Sequence, residues 1–103
     1  MTGYIDPIEP SEQEEADRLK SAKRVQREID DLKWVMADPR GRRLMSRLLE
    51  RTGTMRSSFH TSGSVMAFNE GRRDIGLFLT AEMLEHTPKE HARLLNEYRN
   101  NDD

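Results

Sequence analysis

Glu82 and His86 stand four residues apart, the spacing at which two ligands on one helical face can converge on a metal ion. The rest of a ligand set is lacking. The histidines are His60, His86 and His91, no Glu-x-x-His pair of the di-iron type occurs, and no second convergent set is found. A histidine near a helix end commonly serves the dipole or a cap instead. No metal and no cofactor is therefore expected. Ser57, Ser58 and His60 set hydroxyls near an imidazole, the material of a nucleophile–base pair. No G-x-S-x-G elbow fixes them, and loop serines ordinarily bond the local backbone. Neither a phosphate loop nor a dinucleotide-binding glycine turn is present. No catalytic residue emerges, and the expectation is a protein that is not an enzyme.

The remaining chemistry is that of charge. Arg40, Arg43, Arg47 and Arg51 recur at steps of three, four and four, so they line one stripe of a helix. Arg42, Arg56, Arg72 and Arg73 lie close in sequence. Arginine is the cation suited to planar pairing with phosphate or carboxylate. Three readings compete: a solvated or salt-bridged face, a grip on nucleic acid, or a pairing with acids of a neighbouring subunit. The net charge of −2 hides a segregation that bears on the choice. Residues 1–17 hold six acids and no bases, residues 18–56 hold twelve bases and five acids, and residues 57–103 hold five bases and eight acids. A chain with an acidic arm and a low pI is a poor nucleic-acid binder on its own, so nucleic acid ranks below protein as a partner.

The elements that must position these residues are helices. At 103 residues the chain can form one modest core. With 34% hydrophobic and 35% charged residues, it resembles a surface-rich helical protein that needs partners. Cysteine is absent, which excludes disulfides. No secretory leader or membrane span is expected, because the longest strongly apolar run is "IGLFL". An all-α fold of four helices is predicted, over about 11–37, 39–52, 64–86 and 88–99. The first is long and partly protruding, an extended arm covers residues 1–10, and residues 11–103 form a single helical domain. A Ser/Thr/Gly-rich loop separates helices two and three.

Local signals support each element. Ser11 and Glu14 form a capping box for helix one, whose apolar stripe runs Leu19, Ala22, Val25, Ile29, Leu32 and Met36. Asp38 caps helix two with Pro39 at its first position, and Gly53 closes it. Ser62 or Ser64 caps helix three, and Thr87 with Glu90 is expected to box helix four. Met55 and Phe59 are expected to pin the loop to the core. Helix three is apolar on nearly every side from Ile75 to Leu84, and Gly71 and Gly76 within it suggest close helix crossings. Such surplus apolar surface points to burial against another chain. The residues expected to meet it are Tyr4, Ile5 and Ile8 on the arm and Leu19, Ile29 and Trp34 on helix one.

"LLERTG", "SSF", Phe68 and "EGRRDIGLFLTAEML" together resemble a family of small structural proteins of tailed bacteriophages, typified by a virion protein of a short-tailed Bordetella phage. The similar part runs from about Asp30 to Tyr98. The resemblance implies a virion-associated, non-enzymatic role. The expectation is a multi-copy structural protein at the head–tail connector or portal or inside the head, with an internal protein ejected with the genome as a close variant, and with other virion proteins and itself as partners. It would reside in the virion, and in the host cytoplasm during assembly. The alternative is a small DNA-binding protein using the arginine stripe. The resemblance also implies a loop signature of Thr52, Gly53, Ser58 and Phe59 with Glu70, Gly71, Arg72 and Arg73. In it, Glu50 or Glu70 is expected to pair with Arg72 or Arg73 and fasten the loop over helix three.

Overall fold

The computed structural model describes residues 11–54 and 56–100. Four helices hold most of them: α1 (Glu12–Ala37), α2 (Pro39–Thr52), α3 (Gly63–His86) and α4 (Pro88–Asn100). The all-α expectation holds, with helix bounds within about one residue of the sequence reading. The arm with Tyr4, Ile5 and Ile8, the expected loop anchor Met55 and the tail beyond Asn100 lie outside the described residues. The chain divides into two units, Met1–Asp30 and Asp31–Asp103.

In the first unit, Ser11 opens α1. Its Oγ accepts from the Glu14 amide at 3.1 Å, and its carbonyl accepts from the Glu15 amide at 2.9 Å. Glu12, Glu14 and Glu15 then lie at the positive end of the helix dipole. Leu19, Ala22 and Val25 are exposed, and Ile29 is half-buried. The stripe has the helical period but covers no core along these turns.

The second unit holds the core. Met36, Met45, Met83 and Leu94 are its buried apolar side chains, with Leu32, Val35, Leu49 and Leu79 packed around them. Three of the four are methionines, which fill irregular gaps between helices at little conformational cost. Asp38 stops α1 and starts α2: its side chain accepts from the Arg40 amide at 2.8 Å, and Pro39 takes the first helical position. Gly53 ends α2 with φ 67°, a left-handed conformation that costs glycine nothing.

Two caps and two glycines behave differently from the sequence reading in part. Ser62, not Ser64, caps α3. Thr87 does not box α4. It is buried, and its hydroxyl donates back to the Met83 carbonyl at 3.0 Å, closing α3 instead. Gly76 does mark a close approach. A Cβ there would collide with the hydroxyls of Thr54 and Thr52. Gly71 does not, because a Cβ there would meet open space. Gly41, unremarked in the sequence, sits against the Val35 carbonyl, where a Cβ would also collide.

The loop after α2 is anchored by a residue that the pattern did not single out. Thr54 is buried, and its Oγ1 shares a 2.6 Å hydrogen bond with Thr52 Oγ1, which donates to the Leu49 carbonyl. Phe59, expected in the core, is 75% exposed.

Candidate functional site

The arginine stripe divides when folded. Arg40, Arg43 and Arg47 line an open groove of about 1120 Å3, completed by Pro39, Ser46, Glu50 and the Glu97–Arg99 turn of α4. Arg51 is not among its walls. Arg40 is engaged by its own cap residue: its Nε and Nη2 donate to the Asp38 carboxylate at 3.2 and 3.1 Å. That pairing, with the Arg40 amide, holds the Asp38 carboxyl down to about 2 from an ordinary 3.8. Arg43, Arg47 and Arg99 are exposed and have no ion-pair partner among the described residues.

Arg42, counted in sequence among cations near the stripe, belongs to the interior. It is 5% exposed. Its Nε donates to both Glu97 oxygens at 3.0 and 3.1 Å, its Nη2 donates to Oε1 at 2.8 Å, and its Nη1 donates to the Met36 carbonyl at 2.8 Å. Pairing with Glu97 raises the guanidinium pKa against the opposing effect of burial. A stripe of period 3.6 cannot reveal this, because Arg42 lies off it and its carboxylate lies 55 residues away.

Beside the groove lies a second recess of about 310 Å3, walled by Leu49, Leu94, Leu95 and Tyr98 with Thr54, Thr80 and His91. Ser46, Glu50 and Tyr98 border both recesses. Burial pushes the His91 imidazole pKa down, so the ring is neutral at pH 7. No local pattern marks His91, rather than His60 or His86, as the histidine that faces a cavity.

The α3 surface carries the largest apolar surplus. Phe68, Ile75 and Phe78 are 65%, 57% and 61% exposed, and with Gly71 they repeat at 3-4-3 spacing on one side of the helix. Leu77 and Leu84 are exposed on another side. Among the described residues fifteen large hydrophobic side chains are exposed and four are buried in the core. Scattered exposed apolar residues are ordinary; Phe68, Ile75 and Phe78 differ in recurring on one side of a single helix. Of the partner-facing residues expected on α1, Trp34 is 79% exposed and Leu19 56%, while Ile29 is half-buried.

The loop signature comes together only in part. Arg72 Nη1 donates to the Arg51 carbonyl at 3.4 Å, its Nη2 donates to Asn69 Oδ1 at 3.0 Å, and its guanidinium lies 5.0 Å from the Phe68 ring centre. Thr52 and Gly53 close the helix end beside it. The expected pairing of Glu50 or Glu70 with Arg72 or Arg73 is not formed. A helix C-terminus carries partial negative charge on its free carbonyls, and Arg72 uses that in place of a carboxylate. Ser58 is half-buried, and Phe59, Glu70 and Gly71 are exposed, with Arg73 half-buried.

The hydroxyl and imidazole candidates serve local structure. Ser57 Oγ accepts from the Phe59 amide at 3.1 Å, and His60 Nδ1 accepts from the Ser62 amide at 2.9 Å. His86 Nε2 lies 3.4 Å from Glu82 Oε2, a pair within α3. Among the described residues no group of three or more potential ligands converges, and no helix is long and apolar enough to cross a membrane.

A family model described as "Bbp19-like phage protein" matches residues 32–96. That span lies within the second unit and takes in the core, the α3 stripe and the walls of both recesses except Glu97, Tyr98 and Arg99. Neither a curated protein nor a solved structure matches the chain.

Proposed function

The chain belongs to the family of Bbp19-like phage proteins, and from that premise we propose that it is a non-enzymatic structural component of a bacteriophage particle. It is present in several copies, at the head–tail connector near the portal or inside the head, where it would be ejected with the genome. Its partners are other virion proteins of the portal, connector or tail, and copies of itself. Assembly takes place in the host cytoplasm.

The observation that supports this reading is the apolar surplus on α3. A stripe of Phe68, Ile75 and Phe78 left in water forgoes about 1.5–3 kcal/mol for each side chain that an interface would bury. The wild-type chain and an Ile75→Asp, Phe78→Asp variant can be supplied to a phage lacking its own copy. Incorporation of the wild type and exclusion of the variant is the expected result. Equal incorporation of both would show that this surface does not hold the protein in the particle.

A second reading, DNA binding, is favoured by the exposure of Arg43, Arg47 and Arg99 on one groove. Against it, Glu50 and Glu97 line the same groove, and six acids precede Arg18. Phosphate contacts would show as binding to random duplex that weakens steeply with salt.

A further inference from the structure

We infer that the paired recesses between α2 and α4 receive the acidic N-terminal segment, residues 1–17, of a second copy of this chain. The inference rests on the multi-copy reading above and supplies the contact that joins the copies.

The recesses ask for a ligand of two characters. One is a groove with three exposed guanidiniums, Arg43, Arg47 and Arg99, that have no ion-pair partner among the described residues. The other, sharing Ser46, Glu50 and Tyr98 with it, is walled by leucines and holds about 310 Å3. That is far above the ~10–15 Å3 needed to admit one water, and the apolar walls suit a large apolar side chain. A nucleic acid could use the first recess and would leave the second empty. A peptide that alternates acids with large apolar residues fills both.

The chain carries such a peptide. "YIDPIEPSEQEEAD" places Tyr4, Ile5 and Ile8 among Asp6, Glu9, Glu12, Glu14, Glu15 and Asp17, with no base to oppose them. In the described part of that segment, Glu12, Glu14 and Asp17 are exposed, and only Glu15 has an ion-pair partner, Arg18. Among the described residues, Glu12, Glu14 and Asp17 on one side and Arg43, Arg47 and Arg99 on the other thus have no ion-pair partner, and opposite charges that meet across an interface steer association and fix its register. The copies already share one particle on the reading above, which raises the local concentration of the segment.

The absence of cysteine permits a clean test in the full chain. Glu14→Cys and Arg47→Cys variants are mixed under mild oxidation, with Glu14→Cys and Asp74→Cys as the control pair. The mixed Glu14–Arg47 disulfide should form in clear excess over the control pair. Equal yields of the two would overturn the inference. In parallel, a labelled peptide of residues 1–17 is titrated into the wild-type chain and into Arg43→Glu, Arg47→Glu, both side chains being exposed and outside the core. Affinity should fall by about tenfold, and Tyr4→Ala, Ile8→Ala in the peptide should also weaken it. A peptide that does not bind, while random duplex DNA binds and is lost in the same variant, would give the groove to nucleic acid. The solution measurements decide the occupant. The number of copies in purified particles decides the virion role separately, so the two readings can fail independently.

Discussion

Arg42 of α2 and Glu97 of α4 form a two-pronged ion pair with contacts of 2.8–3.1 Å, and the same guanidinium donates at 2.8 Å to the carbonyl of Met36. One side chain therefore ties three helices at the edge of a core that has four buried apolar residues among the described ones. Removing the carboxylate leaves a buried cation with a single protein partner. Glu97→Ala should destabilise the chain by about 2 kcal/mol in urea unfolding, less than a fully buried pair because Glu97 is partly exposed. Arg42→Met combined with Glu97→Ala should recover part of that loss, since an apolar side chain needs no partner. A neutral Glu97→Ala would show that the pair contributes nothing to the fold.

The two glycines of α3 should respond in opposite directions. Gly76→Ala drives a methyl into the Thr52–Thr54 hydroxyl pair and should cost about 1–3 kcal/mol. Gly71→Ala meets open space and should stabilise the helix by about 0.5–1 kcal/mol. Thermal unfolding of the two variants checks both signs.

How much of this was legible in the sequence depended on range. Asp38, Pro39 and Gly53 announce their roles within a few residues, and the helix bounds followed. Thr87 was legible as a helix boundary but not in its bonding, because a threonine between two helices can cap the next or close the last, and the Met83 carbonyl lies in reach of its hydroxyl. Gly71 and Gly76 look alike in sequence. Only the position of the α2–α3 loop distinguishes them. The Arg42–Glu97 pair and the recess beside His91 join residues from α2 and α4, far apart in the chain, and no local pattern encodes them.

Acid should act in two steps. The buried His91 resists protonation, whereas the unfolded imidazole takes its proton near the ordinary value of 6.5. Its contribution is complete above about pH 6.5 and is lost as the pH falls toward the lowered folded value. His91→Leu should remove this step. Asp38 acts lower: its carboxyl is held down from 3.8 to about 2, first by the Arg40 side chain and then by the Arg40 amide. Its contribution is present above about 3.8 and is lost as the pH falls through 2. Asp38→Asn should flatten that step while keeping the cap acceptor. Stability measured from pH 8 to pH 2 follows both.

The exposed apolar residues should separate folding from assembly. Trp34→Ala and Ile75→Asp alter side chains that are 79% and 57% exposed. Each should change the stability of the free chain by less than about 0.5 kcal/mol, as surface substitutions usually do. Each should nonetheless reduce incorporation into particles. Trp34 is the only tryptophan, so its emission should shift to the blue on assembly if its ring is buried there. Unchanged emission would place Trp34 outside the interface.

The central claim is that this chain is a multi-copy part of the phage particle, and counting its copies there tests it most directly. Particles purified free of lysate are quantified by mass spectrometry against an isotope-labelled standard of this chain, with the major capsid protein as reference. Several copies per particle, in a constant ratio to the capsid protein across preparations, is the predicted result. A chain abundant in infected cells yet absent from purified particles would contradict the claim.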